Sequence, residues 1–175
     1  MNKRNTKVRA LCESAILVAL GLVLSLIKIY ELPNGGSITA VSMLPIILIG
    51  VRWGLGWGLG SAFVYSLLQF LFGIYAISPL ALFLDYILAF TVLGLSGLFR
   101  GKKYGLVLAA AVCGFLRFVV HWISGATVRA STLPAGVPVW YGSLTYNLSY
   151  MLPEVILTVL VAVLITIPLR RHQYI

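Results

Sequence analysis

Long apolar runs, separated by short polar or basic clusters, divide the chain into six segments. A bilayer crossing needs about 20 apolar residues in a helix, and five of the runs reach that length. The first helix is expected over Val8–Ile29, behind Lys3, Arg4, Lys7 and Arg9. A second, over Ser37–Gly50, is short for a span, roughly 21 Å by the helical rise, and Pro45 interrupts it. The third covers Gly54–Phe72, and the fourth opens at Ser78-Pro79 and reaches Leu98. The fifth runs over Tyr104–Ala126 and the sixth over Ser143–Leu169. Two stretches rich in turn residues, YELPNGGSIT (30–39) and RASTLPAGVPVWYG (129–142), read as loops on one side of the membrane. The fold class that follows is an all-α integral membrane protein of six transmembrane helices, a single membrane domain over residues 1–175.

Composition sharpens this reading. The 175 residues are 61% hydrophobic and 10% charged, with a mean hydropathy of +1.03, far from a soluble domain. No room remains for an extramembrane catalytic domain, and no G-x-x-x-x-G-K-[ST] phosphate loop is present. Any ATPase in the system must therefore be another chain. The net charge of +9 would suggest nucleic acid in a soluble protein, but here it reflects basic residues gathered at cytoplasmic helix ends. Lys3, Arg4, Lys7, Arg9, Arg52, Arg100, Lys102, Lys103, Arg170 and Arg171 fall on one side, while Lys28 and Arg129 fall on the other, which places both termini in the cytoplasm. The basic N-terminus leads into a span-length run without an A-x-A cleavage site, so it reads as a retained first helix. Cys12 and Cys113 read as small packing residues, neither a disulfide nor a metal pair.

Small residues mark close approach between helices. Ala15 and Ala19 form an A-x-x-x-A pair on the first helix with Gly21 nearby, suited either to internal packing or to a partner protein. The third helix opens GLGWGLG, with Gly54/Gly58 and Gly56/Gly60 as overlapping G-x-x-x-G pairs. Without a preceding strand or a following lysine this is not a phosphate cradle, and tight helix packing is the expectation.

The candidate chemistry lies in the polar residues at membrane depth. Such groups are costly in lipid, so they face protein or a wet cavity. Arg117 and His121, four apart in RFVVHWISG, share one helical face beside Trp122. Asp85 is the only aspartate. From the assumed outer ends, the helical rise puts Asp85, His121 and Asn147 at depths of roughly 9, 7.5 and 6 Å, a single layer walled by Tyr86, Trp122, Tyr146 and Tyr150. Arg117 and Glu154 lie deeper, and pairing them would leave Asp85 as the anion of the upper layer. The alternative pairs Asp85 with Arg117. A carboxylate in an aromatic pocket suits a flat cationic ligand. Nothing in the pattern forms a nucleophile, base and oxyanion set, so no catalytic residue, cofactor or metal is expected.

These motifs in order, LPNGGSITAVSMLPI followed by VRWG, FLDYILAF, RFVVHWISGA and PVWYGSLTYNLSYMLPE, resemble the thiamine-specific S-components (ThiT/YuaJ family) of energy-coupling-factor (ECF) transporters. The resemblance covers nearly the whole chain. It implies an S-component-like six-helix bundle in the bacterial plasma membrane that binds thiamine with high affinity near the outer face. It also implies a transmembrane coupling subunit and two ATP-binding-cassette (ABC) ATPases as partners, with Ala15 and Ala19 at the docking surface. By the same resemblance Asp85, Tyr86, His121, Trp122, Gly125, Tyr146 and Asn147 form the ligand site. Three positions depart from the family pattern: some members carry Glu at Asp85, an aromatic is replaced by Arg129, and a tyrosine by Gly142. The rivals are an S-component for a pyridoxine-like or aminopyrimidine vitamin, a self-sufficient proton-coupled carrier using Asp85, His121 and Glu154, and an intramembrane enzyme.

Overall fold

The computed structural model describes residues 3–72, 78–128 and 136–171. Among them are six helices: α1 (Lys3–Leu26), α2 (Met43–Trp53), α3 (Leu55–Phe72), α4 (Pro79–Phe99), α5 (Gly105–Thr127) and α6 (Val139–Arg171). All but α2 are long and apolar enough to cross a membrane. Their outward faces carry large apolar side chains such as Leu11, Ile16, Leu71, Phe115 and Leu164, as a lipid-facing surface requires.

The region between α1 and α2 departs from expectation. The first helix stops at Leu26, and two strands, β1 (Lys28–Glu31) and β2 (Ser37–Thr39), pair antiparallel, with Tyr30 opposite Ile38 and Glu31 opposite Ser37. Alternating Ile, Tyr and Thr favour extended backbone. Pro33 starts the connecting turn, and Gly35 takes φ +89°, a conformation glycine adopts without strain. Residues 37–39, expected in the second helix, therefore belong to a hairpin. Helix α2 starts at Met43 instead, so Pro45 falls in its first turn, where the missing N–H has no helical partner to lose. Pro45 does not interrupt the helix. Gly54, at φ +92°, ends α2 and donates its N–H to Gly50 O at 2.7 Å.

Helix α2 is the centre of the bundle. Ile46, Ile47 and Ile49 are wholly buried, with Tyr65 of α3, Leu93 of α4 and Leu106 of α5 around them. An apolar helix of 11 residues is too short to span, and its length is that of a core helix. At one end α2, α3 and α4 meet through glycines. A Cβ at Gly58 would lie 2.6 Å from Gly94 O and 2.9 Å from the Gly50 Cα, and one at Gly94 would lie 2.6 Å from Gly58 O. Of the two overlapping pairs, only Gly58 is used this way; a Cβ at Gly54, the cap of α2, would meet only the Arg100 side chain, 3.1 Å away. Gly56 and Gly60 have nothing within 4 Å. Gly21 of α1 faces inward against Ile46 and Tyr65, while Ala15 and Ala19 are exposed. Cys113 is buried but Cys12 is exposed, so only the former is a packing residue; both are free thiols.

Glu13 ties α1 to α2. It takes Arg9 Nε at 2.8 Å, Arg52 Nε at 2.9 Å and the Trp53 indole N–H at 3.1 Å. Helix α4 changes its winding along its length: Phe83–Leu88 is a π-helical turn, and Val92–Phe99 is 3-10. At three residues per turn, Gly94 and Gly97 align on one edge, the edge that meets α3. Helix α6 begins at Val139, four residues before the expected Ser143, so Trp140 and Tyr141 are helical and do not belong to a loop.

Candidate ligand-binding site

At the end of the bundle away from the glycine seam, a cavity of about 190 Å³ opens between the hairpin and α3 to α6. One water needs roughly 10–15 Å³ of such space, so the cavity suits a small organic molecule. Helices α4, α5 and α6 each contribute one polar residue to a shared layer. Asp85 Oδ1 lies 3.1 Å from His121 Nδ1, and Asn147 Nδ2 reaches the His121 carbonyl at 3.4 Å. The layer inferred from helical rise alone is therefore present, and Asp85, His121 and Asn147 all line the cavity.

The π-helical turn explains why Asp85 and Tyr86, adjacent in sequence, both line it. An ordinary helix would turn consecutive side chains about 100° apart. The wider winding relaxes that separation, and π turns of this kind concentrate at functional sites. Tyr86 is braced edge-on by Phe70, with ring centroids 6.2 Å apart.

Gly125 lines the cavity but does so as a packing residue. A Cβ there would collide with Ser143 Oγ and come within 3.3 Å of Asn147 Nδ2, so glycine lets α5 and α6 close around the site. Tyr146 lines the cavity with its hydroxyl engaged by the hairpin: it accepts from Gly36 N at 3.0 Å and donates to Pro33 O at 2.5 Å. Trp122 is the one expected site residue outside the cavity wall. Its indole N–H donates to Trp140 O at 2.9 Å, and its ring stacks on Phe118. Arg129 lies outside the described residues, and Gly142 is buried in the first turns of α6.

The expected pair between Arg117 and Glu154 does not form, and neither does the alternative pair between Arg117 and Asp85. The ion pairs among the described residues include neither. Glu154, 2% exposed, instead accepts from both Thr39 N and Thr39 Oγ1 at 2.6 Å. A carboxylate can accept at two oxygens at once, and β2 presents two donors at its last residue, Thr39, just ahead of the link into α2. Arg117 places its guanidinium 4.2 Å above the Phe90 ring, a cation–π arrangement that tolerates partial burial.

Gly36 and Gln69 escape a reading by motif, whereas Tyr150 lines the cavity as one of the expected aromatic walls. Gly36 carries no functional group, yet a Cβ there would lie 2.7 Å from the Tyr150 ring. Gln69 lines the cavity with its amide on the Tyr65 hydroxyl, and a lone amide in an apolar α3 was a detectable signal. Tyr150, 7% exposed, donates its hydroxyl proton to Asn147 Oδ1 at 2.8 Å. Its spacing from Asn147 and Tyr146 puts it on their face of α6. Among the described residues no cluster of three His, Cys, Asp or Glu could hold a metal ion.

Known proteins resemble this chain along nearly its whole length. The family model described as "Thiamine transporter protein (Thia_YuaJ)" matches residues 11–173. The thiamine transporter ThiT of Bacillus subtilis (strain 168) is 38% identical over 181 residues, covering 94% of this chain and 93% of the relative. That of Lacticaseibacillus paracasei is 30% identical, covering 89% and 86%. The solved structure of ThiT from Listeria monocytogenes superposes with a TM-score of 0.76 at 24% identity, covering 95% of this chain and 96% of that one, and so shares the fold. By the match along nearly its whole length, the chain belongs to the thiamine transporter (Thia_YuaJ) family.

Proposed function

We propose that this chain is the thiamine-capturing S-component of an ECF-type uptake transporter in the bacterial plasma membrane, with its cavity facing outside. The observation that carries the reading is the Asp85–His121 pair at 3.1 Å in the wall of an aromatic-lined cavity. Thiamine carries a permanently cationic thiazolium ring joined to a neutral aminopyrimidine. Asp85 offsets the ring charge, His121 orients the carboxylate, and Tyr86 and Tyr146 supply flat walls. The relatives named as thiamine transporters support thiamine as the ligand.

The hairpin acts as the lid. It is held through Gly36 and Pro33 on Tyr146 and through Thr39 on Glu154, so ligand entry requires these bonds to open. Release on the cytoplasmic side is driven by ATP hydrolysis on two ABC ATPases through a transmembrane coupling subunit. That subunit docks on the exposed Ala15 and Ala19, whose small side chains permit close helix approach.

Titration of the purified protein with thiamine, followed by tryptophan fluorescence, tests the binding step. Asp85→Asn removes the counter-charge and is expected to weaken binding by about 2 kcal/mol, roughly 30-fold. An affinity within twofold of wild type means Asp85 is not the counter-ion. For docking, Ala15→Leu with Ala19→Leu is expected to keep thiamine binding and abolish uptake in cells.

A further inference from the structure

The hydrogen bonds behind the site all point one way. Ser143 Oγ donates to Trp122 O at 2.8 Å, which spends its only proton. Asn147 Nδ2 faces acceptors: Ser143 O at 2.8 Å, Ser143 Oγ at 3.3 Å and His121 O at 3.4 Å. Those acceptors fix the amide so that Oδ1 is the atom turned to Tyr150, whose hydroxyl must then be the donor at 2.8 Å. The chain of bonds runs from Tyr150 through Asn147 and Ser143 to backbone carbonyls of α5 and α6. Its protons are all directed away from Tyr150.

At the cavity this has a definite chemical consequence. With its proton committed to Asn147, the Tyr150 oxygen can only accept from any further partner, and so can Asn147 Oδ1. A hydroxyl that donates into such a chain becomes a better acceptor, because successive bonds polarise one another. Both residues line the cavity and both are buried, with Tyr150 at 7% and Asn147 at 4% exposed. Burial makes a mismatched ligand group costly there, since an acceptor facing an acceptor has no water to turn to.

We infer that Tyr150 is a specificity-determining residue, and that Tyr150 with Asn147 forms an acceptor-only wall that reads an exocyclic amino group on the ligand's heteroaromatic ring. This deepens the thiamine reading and rests on it: the group read is the 4-amino substituent of the pyrimidine. The wall rejects a 4-oxo ring, which presents an acceptor at that position.

Three ligands separate the inference from the reading beneath it: thiamine, an analogue with the 4-amino group replaced by hydrogen, and the 4-oxo analogue. Wild type is expected to prefer thiamine by about tenfold or more. Tyr150→Phe keeps the ring that packs on Gly36 and is expected to lower thiamine affinity about tenfold while leaving the analogue within about twofold. A merely structural role for Tyr150 lowers both alike. Should Tyr150→Phe fail to fold, Asn147→Leu carries the test: it releases the Tyr150 proton for donation, and the preference for thiamine over the 4-oxo analogue collapses. Equal wild-type binding of thiamine and the analogue lacking the amino group, equal loss of both in Tyr150→Phe, or an unchanged amino-over-oxo preference in Asn147→Leu overturns this inference alone. A wild type that binds no thiamine overturns the underlying reading as well.

Discussion

Helix α4 is wound in two different ways, and its halves serve opposite ends of the molecule. Over Phe83–Leu88 it loosens into a π turn and brings Asp85 and Tyr86 to the cavity. Over Val92–Phe99 it tightens to 3-10 and lays Gly94 and Gly97 against the backbone of α3. One end holds space and polar groups; the other leaves no room for a methyl group. If the cavity is the thiamine site proposed above, stability and ligand recognition are separated along one helix, and substitutions at the two ends should fail in different ways.

The largest effect is expected at the glycine end. In Gly94→Val the new side chain meets the Gly58 carbonyl and the Leu59 Cα, both at 2.6 Å from the Cβ position. Neither neighbour is a side chain that can rotate away, so the helices must separate, at a cost of about 4 kcal/mol or more. Loss of a monodisperse peak on size exclusion in detergent is the expected outcome. A folded Gly94→Val protein with normal thermal stability would mean that the seam is not a fixed contact.

At the cavity end the expectation is reversed. Gly36→Ala drives a methyl group into the Tyr150 ring, 2.7 and 2.8 Å away, and toward the Tyr146 hydroxyl at 2.9 Å. The hairpin then cannot seat, while the bundle beneath it is untouched. Thiamine affinity should fall by about 2 kcal/mol, roughly 30-fold, with the melting temperature nearly unchanged. A drop in melting temperature without loss of affinity would erase the distinction between the two ends. Glu154→Gln is expected to act in the same sense but less. It removes one of the two acceptors that Thr39 uses, costs about 1.5 kcal/mol, and should appear mainly as faster thiamine dissociation.

The same contrast explains what was legible in the sequence. Apolar run lengths gave α1, α3, α4 and α5 to within a few residues at most of their ends, apart from the N-terminus of α1, because lipid imposes a minimum span. Helical rise alone put Asp85, His121 and Asn147 in one layer. The hairpin was hidden because its strands are only four and three residues long, too short for a period-two pattern to emerge. The Glu154 contact was missed for a different reason. Charge pairing predicts a cation as partner, whereas two backbone-anchored donors on a strand satisfy a carboxylate equally well. Trp122 was placed at the site by its neighbour His121, but consecutive helical positions diverge, and its indole turned to Trp140. Glu13 escaped notice because an acidic residue near basic ones reads as a surface pair, not as the tie between α1 and α2.

The smallest expected effect is the sharpest test of the glycine argument. Gly56 and Gly60 have the same spacing as Gly54 and Gly58 and flank Gly58 in α3, yet nothing lies within 4 Å of a Cβ at either. Composition cannot distinguish the two pairs; only the direction each faces does. Gly56→Ala and Gly60→Ala should leave fold and thiamine affinity intact and shift stability by no more than about 1 kcal/mol each, toward greater stability because alanine restricts the unfolded backbone. Gly58→Ala, one turn away and aimed at Gly94 O, should destabilise. If a chain with both outward substitutions binds thiamine normally but loses uptake in cells, the outward pair is a contact for the transport machinery, and the division between a binding end and a packing end gains a third, partner-facing surface.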